Sequence, residues 1–511
     1  LESRFDSRHG GFGTSPKFPS PHNLIFLLHF AAARGDGSAR MMATTTLGAM
    51  RRGGLWDHVG FGFHRYSTDR EWLVPHFEKM LYDQAMLLLA FTEAWLDTRK
   101  PEHEQAIREL VSYVLRDMTD PKGGFYSAED ADSEGVEGKH YLWSMDQLVE
   151  VLGEEDARAA ATLWNASTEG NFEEEASGRR TGANILHLTA TSGSGSADVL
   201  EPQRVASIRQ RLFSARCRRV YPLKDDKILA DWNGLMAAAL AKAGAALGEP
   251  AWIDEADRAV SRVLEKLRDP SGRLLHRMRD GVAVVPAFLD DHVFLTLALI
   301  ELHQARLEPR YLEQALSLQQ ETLERFWDRD HGGLFVTAAG SEELLVRPRE
   351  LYDGAIPSGA SVAVANLLRL ARLTGDTSLA EHADALVRSA LAELRQGPAA
   401  HTALVDALLV EAADPCEVVV AGEPGADDTG KLLATVRGRY LPGAVLLLVP
   451  PGPEGERIHA IAPFTLGHSP IEGRAAAYVC RDHRCDLPVT DPGNLAELLD
   501  SPSPAGSSTA S

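Results

Sequence analysis

Three histidines, with aromatic residues and glycines between them, crowd one connection of this chain. It runs Trp56-Asp57-His58-Val59-Gly60-Phe61-Gly62-Phe63-His64-Arg65-Tyr66 and resumes at Pro75-His76-Phe77-Glu78-Lys79-Met80-Leu81-Tyr82-Asp83-Gln84. Histidine exchanges a proton near neutral pH, so such a loop suits a site that holds a ligand and moves protons on it. Helical spacing from residue 77 onward puts His76, Lys79 and Asp83 on one face and Glu78 and Tyr82 on the next. The plainer reading is a helix start: Pro75 in the first turn, Glu78 at the positive end of the dipole, Lys79 paired with Asp83. Spacings of six and twelve between His58, His64 and His76 match no zinc pattern. Neither a metal nor another cofactor is expected.

Further polar residues recur where later helices begin. Glu129, Asp130 and Asp132 follow one glycine turn; Lys227 precedes Asp231, Trp232 and Asn233; Asp290, Asp291 and His292 open another helix; Tyr352, Asp353 and Ser358 precede the last pair. Trp232 is equally suited to stacking on a sugar face and to filling the core, while Asp290 and Ser358 also read as caps. Two chemistries follow if these residues share a pocket. Epimerisation or isomerisation beside a carbonyl needs acid–base groups, with His76 or His64 facing His292. Glycoside hydrolysis needs two carboxyl groups, drawn from Glu129, Asp130, Asp231 and Asp291. A third reading is a non-catalytic or redox-coupled binding protein.

The elements that would gather these residues are paired helices. Apolar periodicity over 22–33 and 39–52, 77–98 and 102–117, 230–247 and 250–267, 290–305 and 310–326, and 359–374 and 377–395 gives five antiparallel pairs joined by short turns. Segments 144–164 and 202–219 make a sixth, interrupted by a Gly- and Ser-rich insertion. Asp6-x-x-x-Gly10-Gly11-Phe12, Asp120-x-x-Gly123-Gly124-Phe125 and Asp328-x-x-x-Gly332-Gly333-Leu334 read alike, with Gly53-Gly54-Leu55-Trp56 and Asp269-x-x-Gly272-Arg273-Leu274 as weaker copies. Six hairpins closing on themselves predict a mainly α (α/α)6 toroid over residues 1–412. Short β-type runs then predict a small α/β domain over 413–500, and Ser and Pro predict a disordered tail over 501–511.

The 511 residues carry 73 acidic against 52 basic side chains, a net charge of −21. That balance disfavours nucleic acid and anionic membrane surfaces as partners, and leaves a small sugar-like molecule as the expected ligand. Four cysteines without a Cys-x-x-Cys fit a reducing cytoplasm, with Cys480 and Cys485, flanking His483, as a reduced structural pair. An opening at Leu1-Glu2-Ser3-Arg4-Phe5 reads as the interior of a longer protein.

Several long motifs together resemble one family. They are Gly11-Phe12-Gly13-Thr14-Ser15-Pro16-Lys17-Phe18-Pro19, Gly62-Phe63-His64-Arg65-Tyr66-Ser67, Pro75 to Gln84, Ser127-Ala128-Glu129-Asp130-Ala131-Asp132, Asp226 to Met236, and Pro357-Ser358-Gly359-Ala360-Ser361-Val362-Ala363. These stretches are similar to the spermatogenesis-associated protein 20 family. That resemblance implies a thioredoxin-like domain, absent from this chain, ahead of a six-hairpin barrel akin to N-acylglucosamine 2-epimerases and six-hairpin glycosidases. Phe61 stands where the pattern has glycine, and Ala360 where it has Asn.

Overall fold

Five hairpins are set by the same local grammar. In the computed structural model, which describes residues 1–173, 178–189, 200–340, 346–413, 415–481 and 484–501, they comprise α1 (Pro21–Arg34) with α2 (Gly37–Arg52) and α3 (Leu81–Thr98) with α4 (Pro101–Asp117). After α5 (Met145–Trp164) and α6 (Pro202–Arg216) come α7 (Ala230–Leu247) with α8 (Pro250–Lys266), α9 (Leu289–Arg306) with α10 (Pro309–Phe326), and α11 (Gly359–Thr374) with α12 (Thr377–Gln396); α13 (Thr402–Ala412) follows. Each first helix stops at a residue with left-handed backbone: Gly35, Arg99, Gly248, Leu307 or Gly375. The second restarts on Pro101, Pro250 or Pro309, or under the side-chain caps Asp36 and Asp376, as proline in the first turn and Asp at the cap dictate.

The first helices close a ring. α1 packs on α3, α3 on α7, α7 on α9, α9 on α11, α11 on α13, and α13 back on α1. The second helices α2, α4, α8, α10 and α12 lie outside, each on its own partner. Sequence separates the two layers. Inner α7 buries Leu235 through Ala241 without a break, as a helix covered all round must. Outer α8 buries only Ile253, Ala256, Ala259, Val260 and Val263, one stripe. The chain is therefore an (α/α)6 toroid, mostly helical.

One expected hairpin sits elsewhere. α5 and α6 pack on each other around Leu148, Trp164, Ile208 and Leu212, and the sixth inner position belongs to α13. Arg209 donates to His58 O (3.0 Å) and Arg216 grips Asp57 (2.8 Å), which pins the pair over the loops rather than in the ring.

The glycine repeat is a closed loop used five times. In each, the Asp N–H reaches the last carbonyl of the loop, and the Asp side chain accepts amides within it: Asp6, Asp57, Asp120, Asp269 and Asp328. The copy after α2 is Asp57 to Phe63, not the Gly53-Gly54 expected from sequence, and Phe61 takes the left-handed φ of +70° that glycine takes in its sisters. Bridges Phe5–Phe12, Trp56–Phe63, Thr119–Phe125, Arg268–Leu274 and Trp327–Leu334 close all five.

Beyond Pro415 a four-stranded sheet runs Val445–Val449, Glu417–Ala421, Ala476–Arg481, Arg484–Cys485, its first pair parallel and the rest antiparallel. α14 (Asp427–Arg437), α15 (Pro453–Ile461) and α16 (Pro492–Asp500) accompany it. Val419, Val445 and Leu447 join the barrel's own core. Cys480 and Cys485 face one another across the hairpin and form a disulfide, where a reduced pair was expected; His483 and the tail beyond 501 lie outside the described residues. No helix among those residues is long and apolar enough to cross a membrane.

Candidate active site

The first turns of the inner helices meet at one end of the barrel. Their second residues are His22 on α1, Tyr82 on α3, Asp231 on α7 and Asp290 on α9; the third residues of α3, α7 and α9 are Asp83, Trp232 and Asp291. Acidic residues suit this place because free N–H groups and the helix dipole favour negative charge. Asp291 shows the logic: its carboxylate accepts Phe288 N (2.7 Å) at the start of its own helix and Asp231 N (3.0 Å) at the start of α7, the preceding inner helix.

A nonlocal strand brings the base. Leu275–Arg279 pairs antiparallel with Val282–Pro286 on one side and Ile228–Leu229 on the other, which carries His276 to Asp291, its Nδ1 2.9 and 3.1 Å from the two carboxylate oxygens. Donor atoms of Asp231, His276 and Asp291 all lie within 4.8 Å of one another. His276 Nε2 has no hydrogen bond to a described residue.

The electrostatics are those of crowded carboxyls. Burial, then the charge of Asp291, pushes Asp231 up to about 8. The same two causes push Asp290 up to about 7, and burial holds Asp83 well above the usual carboxylate range. Burial opposes charge on His276, but its hydrogen bond to Asp291 raises it overall. Asp231, His276 and Asp291 are ligand types for a divalent ion, yet Asp291 already serves two backbone N–H groups and His276, so the trio suits proton transfer better than coordination. Asp290 accepts Gly359 N; a Cβ at residue 359 would stand 2.2 Å from its Oδ1, which explains the glycine that opens α11.

An aromatic and charged rim adjoins the trio. Trp232 meets Tyr82 edge-on, centroids 4.8 Å apart. Arg65 donates to Tyr82 OH (3.2 Å) and to Glu78 (2.9 Å), Glu78 lies 3.1 Å from His76 Nε2, and His76 Nδ1 lies 2.7 Å from Glu137. Tyr66 packs on His76 and Phe18 on Tyr66. Asp353 gathers Ser358 N, Ser361 Oγ and Ala403 N at 2.8–3.0 Å, and Ser358 caps α11. Tyr352 is exposed beside them.

Other expected site residues do not join this group. Helix α3 begins at Leu81, because Pro75–His76 pairs with Tyr66–Ser67 and Lys79–Met80 with Ala128–Glu129. His76, Lys79 and Asp83 therefore share no helical face. Lys79 is buried on Asp57 (2.8 Å), over the rings of Tyr113 and Tyr141. Glu129 accepts from Tyr113 OH (2.9 Å) and Tyr221 OH (3.1 Å). Burial lowers His58 and His64 to about 3; the first bonds the carbonyls ending α2, the second Phe77 O. These groups make a buried ionic and aromatic cluster beneath α5 and α6. His292 is fully buried against Phe326 and 3.7 Å from Glu321 of α10, so it packs the hairpin rather than facing His76 or His64. Lys227 pairs with Asp225 at 2.9 Å, outside the helix. Asn233 clasps the backbone N–H and carbonyl of Phe125. Asp130 and Asp132 are exposed. His22 and His276 were missed, since only strand pairing and ring closure reveal their place.

No protein-family profile matches the chain. Curated relatives do: it is 35% identical to human spermatogenesis-associated protein 20, over 98% of this chain and 68% of that one. It is also 30% identical to the Caenorhabditis elegans uncharacterized protein B0495.5, over 98% and 72%. Similar solved structures include a D-mannose isomerase, with 13% identity, TM-score 0.49, and 76% of this chain and 81% of that one covered. A second is the Bacteroides thetaiotaomicron GH76 α-mannanase BT2949, with 11%, 0.45, 76% and 80%. The extent of the match to the human relative places this chain in the spermatogenesis-associated protein 20 family.

Proposed function

We propose that the barrel mouth binds a sugar and acts as an acid–base isomerase, and the observation that carries this reading is the trio of buried Asp231 and Asp291 with half-buried His276. A carboxylate as basic as Asp231 takes a proton from carbon far better than an ordinary one, and its affinity for protons is matched to mildly alkaline pH. In the reaction, Asp231 removes the proton beside the sugar carbonyl. The C–H electron pair forms the new C=C bond, and the carbonyl π pair moves to oxygen, which takes the proton of His276 Nε2. The enediol collapses to the ketose when neutral His276 Nε2 takes the proton of the hydroxyl on the carbon that lost its hydrogen: that O–H pair becomes the new C=O bond, and the C=C pair takes the proton of Asp231 at the neighbouring carbon. Asp291 keeps His276 charged and oriented without leaving its place. Trp232 and Tyr82 supply the apolar surface that the C–H face of a sugar needs.

One base beside one acid favours proton return on the same face, hence isomerisation over epimerisation. Hydrolysis is less well served, because it needs two carboxyl groups free to act on the substrate and Asp291 is committed to two backbone N–H groups and His276. The test is NMR of a panel of aldoses incubated with the protein in D2O, followed for ketose and for deuterium at the carbon beside the carbonyl. Asp231→Asn and His276→Asn should each lower that turnover roughly 100-fold or more with the helical circular dichroism unchanged. Wild-type protein that neither isomerises nor exchanges any aldose, or variants as active as wild type, would remove the proposal.

A further inference from the structure

The mouth carries polar atoms that no described residue satisfies. His22 and Asp83 are each more than nine-tenths buried, yet His22 Nδ1 and Asp83 Oδ2 have no hydrogen-bond partner among the described residues. A buried polar group left in this state is costly, and a water molecule or a ligand's polar group can complete it. Third residues of inner helices reach back to the preceding helix: Trp232 of α7 packs on Tyr82 of α3, and Asp291 of α9 takes the amide of Asp231 on α7. Asp83 is third on α3 and His22 second on α1, and these two helices pack on one another. Both open valences therefore belong to first turns at the mouth's end of the barrel.

Charge limits what can fill it. Helix N-termini attract anions, but here Asp83, Asp231, Asp290 and Asp291 already stand on them, and Asp353 ties the starts of α11 and α13. Of the cations nearby, Arg65 is engaged with Glu78 and His276 with Asp291, while Arg277 beside His276 makes no ion pair to a described residue. A phosphate or carboxylate would meet more acidic groups than cations among the described residues of the mouth, whereas a hydroxyl both donates and accepts.

We infer that the mouth takes an uncharged sugar, two of whose hydroxyls complete His22 and Asp83, and that it discriminates against sugar phosphates and uronates. This rests on the sugar-binding reading above and adds the substrate class. Calorimetric titration of the whole chain with D-mannose, D-glucose, D-glucose 6-phosphate and D-glucuronate separates the two ideas. The expected result is binding of a neutral sugar, with the charged ones at least tenfold weaker. Charged sugars binding as well as neutral ones would overturn the inference and leave sugar binding intact; no binding by any of the four up to tens of millimolar would overturn both. On the neutral sugar that binds, Asp83→Asn, which preserves shape and hydrogen bonding, should stay within about threefold, and Asp83→Leu and His22→Leu should each lose roughly tenfold, the worth of one hydrogen bond. Equal losses for Asp83→Asn and Asp83→Leu would refute a neutral hydrogen-bonding role, and His22→Leu gives an independent reading if Asp83→Leu fails to fold.

Discussion

The two ends of the barrel are built on the same six helices and solve the problem of buried charge in opposite ways. Seven residues beyond His22 and eleven beyond Tyr82, Asp231 and Asp290, two or three turns along the same faces, stand His29, Glu93, Lys242 and Glu301. With Arg369 of α11 and Asp406 of α13 they form a ring in which the sign alternates from helix to helix. His29 lies 2.8 Å from Asp406 and 3.4 Å from Glu93, Glu93 pairs with Lys242, and Arg369 lies 2.7 Å from Glu301. A cavity of about 320 Å³ separates this ring from the C-terminal segment around Tyr440 and Leu446. Here every charge has an opposite neighbour, and the groups stay ionised: against the effect of burial, Asp406 and Glu93 raise His29 to about 10, and Lys242 and His29 hold Glu93 far below its usual range. At the mouth the same burial meets carboxyl against carboxyl, and Asp231 and Asp290 rise instead. Pairing makes a floor of fixed charges, and carboxyl facing carboxyl leaves the mouth with groups whose affinity for protons is raised.

That contrast predicts effects of opposite sign. Glu93→Gln at the floor leaves His29 and Lys242 facing each other without their shared anion, and should lower stability by about 3–5 kcal/mol, read from the denaturant midpoint at pH 7. Asp231→Asn at the mouth should instead stabilise the protein by about 1–2 kcal/mol at pH 8, since it removes a carboxyl that burial disfavours once ionised. The pH dependence follows from linkage. The folded state holds protons on Asp231 and Asp290 that the unfolded chain releases near pH 4, so their contribution is complete below that pH and lost as pH rises through about 7 and 8. Thermal midpoints of wild type should therefore fall between pH 5 and 8 more than those of Asp231→Asn. Equal slopes would show that the mouth carboxyls titrate normally.

How much of this was legible in the sequence depends on whether a feature is local. Hairpins were readable because Gly35, Pro101, Gly248 and Gly375 mark turns by their own backbone preferences. The floor ring was not, because Glu93, Lys242 and Arg369 are single charges in apolar helices whose partners lie on other helices. α13 was overlooked for the same reason: only closure onto α1 distinguishes it from a connector, while α5 and α6 carry the stronger hairpin signal. Within the site, Asp231, Trp232, Asp290 and Asp291 stood out as polar residues opening helices. His276 lies on a strand whose pairing with Ile228–Leu229 no local pattern announces. His58 and His64 misled through their number, since a histidine-rich loop serves a buried hydrogen-bond cluster as readily as a ligand.

The smallest effect is expected where mouth and solvent meet. His76 is about a quarter exposed and sits between Glu78 and Glu137, themselves near one-third exposed. Ion pairs of this kind contribute less than about 1 kcal/mol to stability, so His76→Ala should leave the denaturant midpoint nearly unchanged. Its consequence should appear in the ligand instead. Without His76 the chain Glu78–Arg65–Tyr82 loses one end, Tyr82 drifts from Trp232, and KM for the sugar should rise a few-fold with kcat preserved. A fall in kcat matching that of Asp231→Asn would move His76 from the rim into the proton-transfer machinery and break the division between a reactive trio and a positioning rim.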